Sequence, residues 1–286
     1  MTQEELKVGL MLRTYAGKEE DIPKRAEMVA SAIEATRKAK VNGTPVIKRI
    51  DILVWADKRY KDADCGKTAA YLSERFNAGN GVFVTEVPAG DIFCQVLNRG
   101  LAIQLQNGCS HSMIVSSEAI SYMNSEVMTE IVEAILKGAL AAGVAINELT
   151  PSVKAGRLAN TFAVWHILSL LQVGGFDLRA AKSMDEKSAV WIDDGTGKLI
   201  IAQGVEEVIP LARLFETFGP CIAPIMPRGE GIQKYEVPDP ITHPEAHAKH
   251  VQKIGTKGPR QKHFLSLVGY DFDLLSHGVM PEYRTP

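Results

Sequence analysis

The chain has 286 residues, is 45% hydrophobic and 23% charged, and carries a formal net charge of −2. That is the composition of an ordinary globular protein of one large domain or two small ones, and the near-zero charge excludes a general attraction to nucleic acid or an anionic membrane. No apolar run approaches bilayer-spanning length, the acidic start MTQEELKVGL lacks a secretory signal, and four scattered cysteines (Cys65, Cys94, Cys109 and Cys221) form no C-x-x-C pair, so a cytoplasmic protein with reduced thiols is expected.

Lys7 to Leu12 is a short apolar run that reads as a buried strand. It ends in Arg13-Thr14-Tyr15 and a polar loop. Pro23 opens a helix with apolar residues at Ala26, Val29, Ala30 and Ile33. The helix closes on the basic run Arg37 to Lys40, where cations suit the helix dipole. Ile50 to Ala56 is the second strand and ends at Asp57. A helix over Lys67 to Phe76, a strand over Gly81 to Val87 and a helix from Asp91 to Gln106 follow. Met113 to Val115 is the fourth strand and runs into the polar cluster Ser116-Ser117-Glu118. Asn124 or Ser125 caps a long helix to Ala142, and Gly143 to Leu149 reads as a further strand.

This alternation predicts a mostly parallel sheet with helices on both faces. In such sheets ligands bind past the carboxyl ends of the strands, where Ser116-Ser117-Glu118 falls. After Pro151 the pattern loosens. Asn160 to His166 is aromatic and apolar, and His166 to Val173 is a short helix ended by Gly174-Gly175-Phe176-Asp177. Glu206 to Phe218 is an amphipathic helix. From Pro220 onward prolines and glycines are frequent, so the chain is expected to wrap over the domain rather than form a new core. The division expected is a domain over 1–227 and a C-terminal extension over 228–286.

Several motifs fall short. Asp64-Cys65-Gly66-Lys67-Thr68 looks like the end of a P-loop, but the glycine needed five residues before Gly66 is Lys61. No G-x-G-x-x-G follows the first strand, and there is no G-x-S-x-G or H-E-x-x-H. His243, His247 and His250 lie close together with no evident fourth ligand, and read as a solvated loop.

In order along the chain, several segments resemble family 2 glycosyltransferases of the GT-A fold. Val8 to Tyr15 looks like that family's first strand and T-Y loop. Ile50 to Asp57 looks like its second strand and nucleotide-binding aspartate. Leu97-Asn98-Arg99-Gly100 looks like its A-R-N-x-G stretch, and Met113 to Glu118 falls where the family has a strand and D-x-D. Leu158 to Asp177 looks like its aromatic acceptor segment, short helix and G-G-F-D. Gly204 to Glu207 and the helix containing Arg213 look like its E-D segment.

The resemblance implies a GT-A-type mixed, mostly parallel sheet and transfer of a sugar from a nucleoside diphosphate sugar, with inversion. The hydroxyl acceptor is unidentified: a glycan, a lipid-linked molecule or a small molecule. Thr14, Tyr15, Asp57, Arg99, Ser116 and Glu118 are implied to bind the nucleotide sugar. Trp165 and His166 are implied to line the acceptor site, although Trp165 is also apolar enough for the core. Glu207 is implied to be the base that takes the acceptor's proton; its other reading is an acid favoured by the helix dipole. The family's D-x-D holds Mg2+ or Mn2+ against the diphosphate. Here it has become Ser116-Ser117-Glu118, so Glu118 is either the remaining metal ligand or a loop carboxylate. The basic run His247 to His263 is a solvated loop or, through Lys257, Arg260 and Lys262, a cover for the diphosphate. Two rival functions follow: a non-catalytic nucleotide- or glycan-binding protein and, third, a sugar-phosphate nucleotidyltransferase.

Overall fold

The computed structural model describes residues 2–14, 16, 18–55, 65–87, 93–145, 158, 162–181, 189–226, 239–245, 247–248, 251 and 256–284; Trp55, Cys65, Phe93, Ser117, Glu118 and Ser121 are described in their backbone only. In chain order the strands are β1 (Val8–Thr14), β2 (Lys40–Val41), β3 (Thr44–Pro45), β4 (Ile47–Trp55), β5 (Val82–Val87), β6 (His111–Val115), β7 (Ala141–Val144), β8 (Phe162–His166), β9 (Trp191–Asp193), β10 (Leu199–Ile201) and β11 (Ile222–Ile225). The helices are α1 (Ile22–Lys38), α2 (Cys65–Arg75), α3 (Phe93–Gln106), α4 (Ser125–Leu136), α5 (Ile167–Gln172), α6 (Val208–Phe218), α7 (Lys257–Leu267) and α8 (Leu274–His277).

Seven strands form one sheet in the order β11-β7-β8-β6-β1-β4-β5. β8 runs antiparallel to both neighbours, and the other adjacent pairs are parallel. The expected mixed, mostly parallel α/β sheet is therefore what the chain forms. Successive side chains of a strand point to opposite faces, and β1 divides accordingly. Val8, Leu10 and Leu12 join the core under α1 and α4, while Met11 joins the core under α3 and α6. Both faces being covered explains why these strands read as continuous apolar runs.

Local signals set the helices. Proline stands in the first turn of α1 and Arg37 and Lys38 in its last. Asn124 caps α4 by accepting the amide of Val127 at 3.0 Å. Gly100 lets α3 lie directly on the sheet, because a Cβ there would run into Met11 and Leu53. Under the same helix Asp51 is fully buried. It accepts Arg49 Nε at 2.8 and 3.0 Å and Gln104 Nε2 at 3.0 Å, and the Arg49 guanidinium lies 3.7 Å over the Phe83 ring. A buried acid removed from water needs such partners.

Several expectations are corrected. The aromatic segment before His166 is strand β8, inserted between β6 and β7. After Pro220 the chain adds to the existing core: β11 is buried on all four residues and extends the sheet beside β7. Pro224 sits within it because β11 is an edge strand, where a missing N–H costs no ladder bond. Phe264 and Leu265 of α7 are also buried in the core against the sheet. The helix expected from Glu206 starts at Val208, and the strand expected from Gly143 starts at Ala141. α2 starts at Cys65, while the remainder of the P-loop-like stretch, 61–64, lies outside the described residues.

The insertion of β8 depends on Gly143. A Cβ at this position of β7 would lie 2.6 Å from the Phe162 carbonyl oxygen and 2.7 Å from Ala163 Cβ. Backbone cannot yield as a side chain does. Gly143→Ala is expected to destabilise the protein by about 1–3 kcal/mol, read as a lower urea midpoint at unchanged slope.

Candidate functional site

Strand order reverses at β1: from it the sheet grows through β4 and β5 on one side and through β6 on the other. Crevices at such switch points, outside the carboxyl ends of the strands, are where open α/β sheets take ligands. Thr14 ends β1 there and is 8% exposed. Ser116 follows β6 directly, and its buried Oγ has no hydrogen-bond partner among the described residues. Leu12 pairs with Val115, so Thr14 and Ser116 end neighbouring strands. Tyr15 and Asp57 lie outside the described residues, and Glu118 is described only in its backbone, within a 3₁₀ turn over Ser117–Tyr122. Arg99 is exposed in the second turn of α3.

A second group converges on the first turns of α3. Asn98 donates its Nδ2 to the Phe176 carbonyl at 3.0 Å and accepts the Phe176 amide on Oδ1 at 2.9 Å. Gly175, with φ +68°, leaves room for this clasp: a Cβ would lie 2.7 Å from Asn98 Oδ1. The turn so held presents Asp177. Its carboxylate accepts Arg179 Nε at 2.9 Å and Nη2 at 2.6 Å and lies 3.4 Å from Arg213 Nη2. Hydrogen bonding from Arg179 holds this carboxyl below its ordinary pKa.

The next turn hangs on the first. Ala180 O accepts the amides of Gly204 and Val205 at 2.9 and 3.3 Å, and Gln203 O accepts Arg260 Nη1 at 3.1 Å. Glu206 and Glu207 follow, both buried. Glu207 is 1% exposed, and neither of its carboxylate oxygens has a hydrogen-bond partner among the described residues; Lys257 Nζ is 3.8 Å from Oε1. Burial lowers the Arg260 pKa, while Glu207 and Glu206 pull it upward. Burial likewise drives the Cys94 thiol well above its ordinary pKa, helped by Glu206, Asp177 and Glu207 and opposed by Arg13. The last of β1, the first turn of α3, the Asp177 turn and Glu206-Glu207 therefore share one electrostatic neighbourhood at the carboxyl end of the sheet.

Trp165 and His166 are not part of it. Because β8 is antiparallel, its first residue Phe162 meets Val115 and its last, His166, meets His111 at the far end of β6. Trp165 is fully buried, with its ring 5.2 Å from that of Phe176 in an edge-to-face contact. His166 caps α5, its Nδ1 lying 2.8 Å from Ser169 Oγ, and its ring centroid is 4.9 Å from that of His111. The aromatic segment is thus a core strand, and the acceptor role expected of these two residues finds no support in their position. Asn98 and Arg13 were not singled out by sequence; Asn98 stood in the N-R-G stretch, but nothing local indicates which backbone it holds.

Among the described residues no group of three or more His, Cys, Asp or Glu is placed to hold a metal ion. Hard cations take several oxygen ligands, mostly charged; Ser116 offers one neutral hydroxyl, and Asp57 and the Glu118 side chain lie outside the described residues. His247 lies one helical turn beyond His243, donating its amide to the His243 carbonyl at 2.9 Å, and His250 lies outside the described residues. Also among the described residues, no helix is long and apolar enough to cross a membrane.

No family model matches the chain, and no curated protein sequence does. Solved structures similar to it include the following two. A cytidylyltransferase from Leptospira borgpetersenii is 10% identical over 59% of this chain, with a TM-score of 0.36; the chain spans 63% of that protein's length. A mannosyltransferase from Pyrobaculum calidifontis, solved with GDP-Man and Mn2+, is 12% identical over 91% of this chain and 74% of its own, with a TM-score of 0.40. Both scores and both identities are low.

Asn98→Ala strands the amide and carbonyl of Phe176, and a loss of about 1–3 kcal/mol is expected on urea unfolding; Asn98→Asp, which keeps only the acceptor, should lose part of it. Burial, with His166 adding to it, pushes the His111 pKa down from 6.5 to about 3. The unfolded chain therefore binds a proton near pH 6.5 that the folded chain refuses until about pH 3. Stability from this residue is complete above that window and falls as pH drops through it, by up to about 1.4 kcal/mol per pH unit. The urea midpoint measured from pH 7 to 5 should fall less steeply in His111→Phe; equal slopes would show that His111 charges freely in the folded protein.

Proposed function

We propose that the protein binds a nucleoside diphosphate sugar at the carboxyl ends of β1, β4 and β6 and transfers the sugar, with inversion, to a hydroxyl acceptor. The observation that carries this reading is the Glu207 carboxylate, which is buried, lies 3.8 Å from a lysine and makes no hydrogen bond among the described residues. A buried carboxylate without hydrogen bonds is costly. Such a cost is understandable where a ligand supplies the missing donor, as the hydroxyl of an acceptor does. The position of Thr14 and Ser116 at the switch point supports a nucleotide pocket on the same end of the sheet, with Tyr15, Asp57 and Glu118 as its further members. Arg99 in the second turn of α3 is the candidate for the phosphates.

In the reaction, the acceptor hydroxyl gives its proton to Glu207 as its oxygen forms a bond to the anomeric carbon. The bond from that carbon to the phosphate oxygen breaks on the opposite face, and its electron pair leaves on the diphosphate. A Mg2+ or Mn2+ ion would neutralise the departing charge, and Glu118 is the ligand this reading offers it. Asp177, fixed by Asn98, Arg179 and Arg213, walls the acceptor side. Residues 228–286 belong to the same unit in this reading, since α7 brings Lys257 to Glu207.

The test is the melting temperature against a panel of nucleoside diphosphates and their sugars, with and without Mn2+. A ligand bound by the folded state alone, at a hundred times its Kd, adds about 2.7 kcal/mol of stability. One base class is expected to raise the melting temperature. Glu207→Gln should keep that rise while transfer from the matching sugar nucleotide falls by about 10²–10⁴-fold. If no nucleotide moves the melting temperature, the reading is wrong; if one does and no sugar is ever released from it, the protein is a binder and not an enzyme.

A further inference from the structure

The two edges of the seven-stranded sheet are finished differently. β11 closes one of them. It has four residues, carries Pro224 and is overlaid by the C-terminal segment: Cys221 and Ile222 both donate their amides to the Gly278 carbonyl at 3.0 Å, and Met280 donates to the Ile222 carbonyl at 2.9 Å. Short length, proline and a covering segment are means by which an edge is kept from pairing with another chain. β5, at the other edge, has none of them. It has six residues, Val-Phe-Val-Thr-Glu-Val, without proline or lysine, and no strand lies beyond it among the described residues. Its β-branched and aromatic side chains favour a paired strand, yet Phe83, Val84 and Thr85 are only half-buried.

The ladder fixes which groups β5 turns outward. Ile50 donates its amide to the Gly81 carbonyl at 3.0 Å and is in register with Val82. Backbone groups alternate in direction along a strand, so those of Phe83 and Thr85 face β4 and those of Val82, Val84 and Glu86 face the edge. Charge is unevenly placed along this edge. At its start Val82 lines a cavity of about 310 Å³ together with Glu34 and Arg37 of α1 and Arg75 and Phe76 of α2. Glu34 is paired with Lys38 at 2.6 Å and Arg75 with Glu27 at 2.7 Å. Arg37 donates Nη2 to the Asn80 carbonyl at 3.0 Å and is in no ion pair among the described residues. The strand's own charge, Glu86, stands near its other end and is exposed.

We infer that β5 pairs with β5 of a second copy of this chain, antiparallel, about a two-fold axis at Val84. A strand with a cation beside one end and an acid near the other is its own complement when reversed, as a two-fold interface requires. The outward groups select the register. With Val84 opposite Val84 of the partner subunit and Val82 opposite Glu86 of the partner subunit, every outward-facing residue meets another, and each pair exchanges two backbone hydrogen bonds. A shift of two residues either way carries one of them past the end of the partner strand. In this register Glu86 of the partner subunit has its side chain on the face of Val82. Val82 packs there with Ile33 of α1, the helix whose last turn holds Arg37. On the opposite face Phe83 comes beside Thr85 of the partner subunit, an aromatic and β-branched pair. The inference is independent of the transfer reaction and needs no ligand.

The test is sedimentation equilibrium of the full chain at about 1 to 100 µM, where a dimer that dissociates on dilution is expected. Val84→Pro removes an outward-facing N–H and no bond to β4. It should keep the wild-type circular dichroism and sediment as a monomer. Glu86→Lys and Arg37→Glu should each weaken the dimer about tenfold or more, since the two-fold axis repeats each change. The double variant restores opposite charges in exchanged places, and its dissociation constant should return to within about threefold of the wild type. Damage to the fold cannot produce that recovery, so the charge exchange decides the matter if Val84→Pro does not fold. A wild type that stays monomeric at the highest concentration overturns the inference and leaves the edge for a strand of another protein. A folded Val84→Pro that still dimerises overturns it too, as does a double variant no tighter than the singles.

Discussion

Asn98 offers both ends of its side-chain amide to the backbone of Phe176, and the candidate site is built outward from that clasp. The clasp fixes a glycine turn that returns the chain to α3 after the antiparallel strand has carried it to the other end of the sheet. Phe176 is thereby pressed edge-on to Trp165, and Asp177 is delivered between Arg179 and Arg213. Ala180, at the end of the same turn, accepts the two amides that fix the backbone before Glu206. Glu207 in turn meets Lys257, the first residue of α7. The steps from Asn98 to Phe176, from Ala180 to Gly204 and Val205, and from Glu207 to Lys257 are hydrogen bonds or an ion pair between segments far apart in sequence, so the placement of Glu207 is no better determined than the first of them.

That dependence explains what could be read from the sequence. The strands before Ser116 and the helices between them follow from apolar runs, helical periods and caps, all local signals, and the mostly parallel sheet follows from their alternation. G-G-F-D is likewise a local turn. Three things were not local. Phe162 to His166 looks the same as an exposed aromatic segment and as a core strand, and only the close approach allowed by Gly143 makes it the latter. Ile222 to Ile225 is too short and too near prolines to stand out, and it becomes a strand because β7 offers an edge. Glu207 was marked by likeness, but its burial without partners depends on a helix that begins fifty residues later in the chain.

The protein treats its buried polar groups in two ways. Asp51 has Arg49 and Gln104 bonded to its carboxylate, and Gly9 keeps space for that glutamine: a Cβ there would lie 2.6 Å from Gln104 Cδ. The pair binds β4 to α3, and its charge is compensated within the fold. His111 is held neutral by burial in the same way, as a group whose proton the fold does without. Glu207 and Gln261 have no such arrangement. A chain that completes one buried carboxylate so fully has the means to complete another, and Lys257 already stands within 3.8 Å of it without closing to hydrogen-bond distance.

The two treatments also differ in what surrounds them. Asp51 lies under α3 between packed strands, where no path to solvent is needed and satisfaction within the fold is the stable solution. Glu207 lies on a turn between the short hairpin β9–β10 and α6, beside Lys257 at the start of α7. Its carboxylate oxygens are buried there without hydrogen-bond partners among the described residues, as are the amide atoms of Gln261 on α7. The cost of leaving them unpaired is borne by the folded protein as a whole, whose core on both faces of a seven-stranded sheet is large enough to tolerate it.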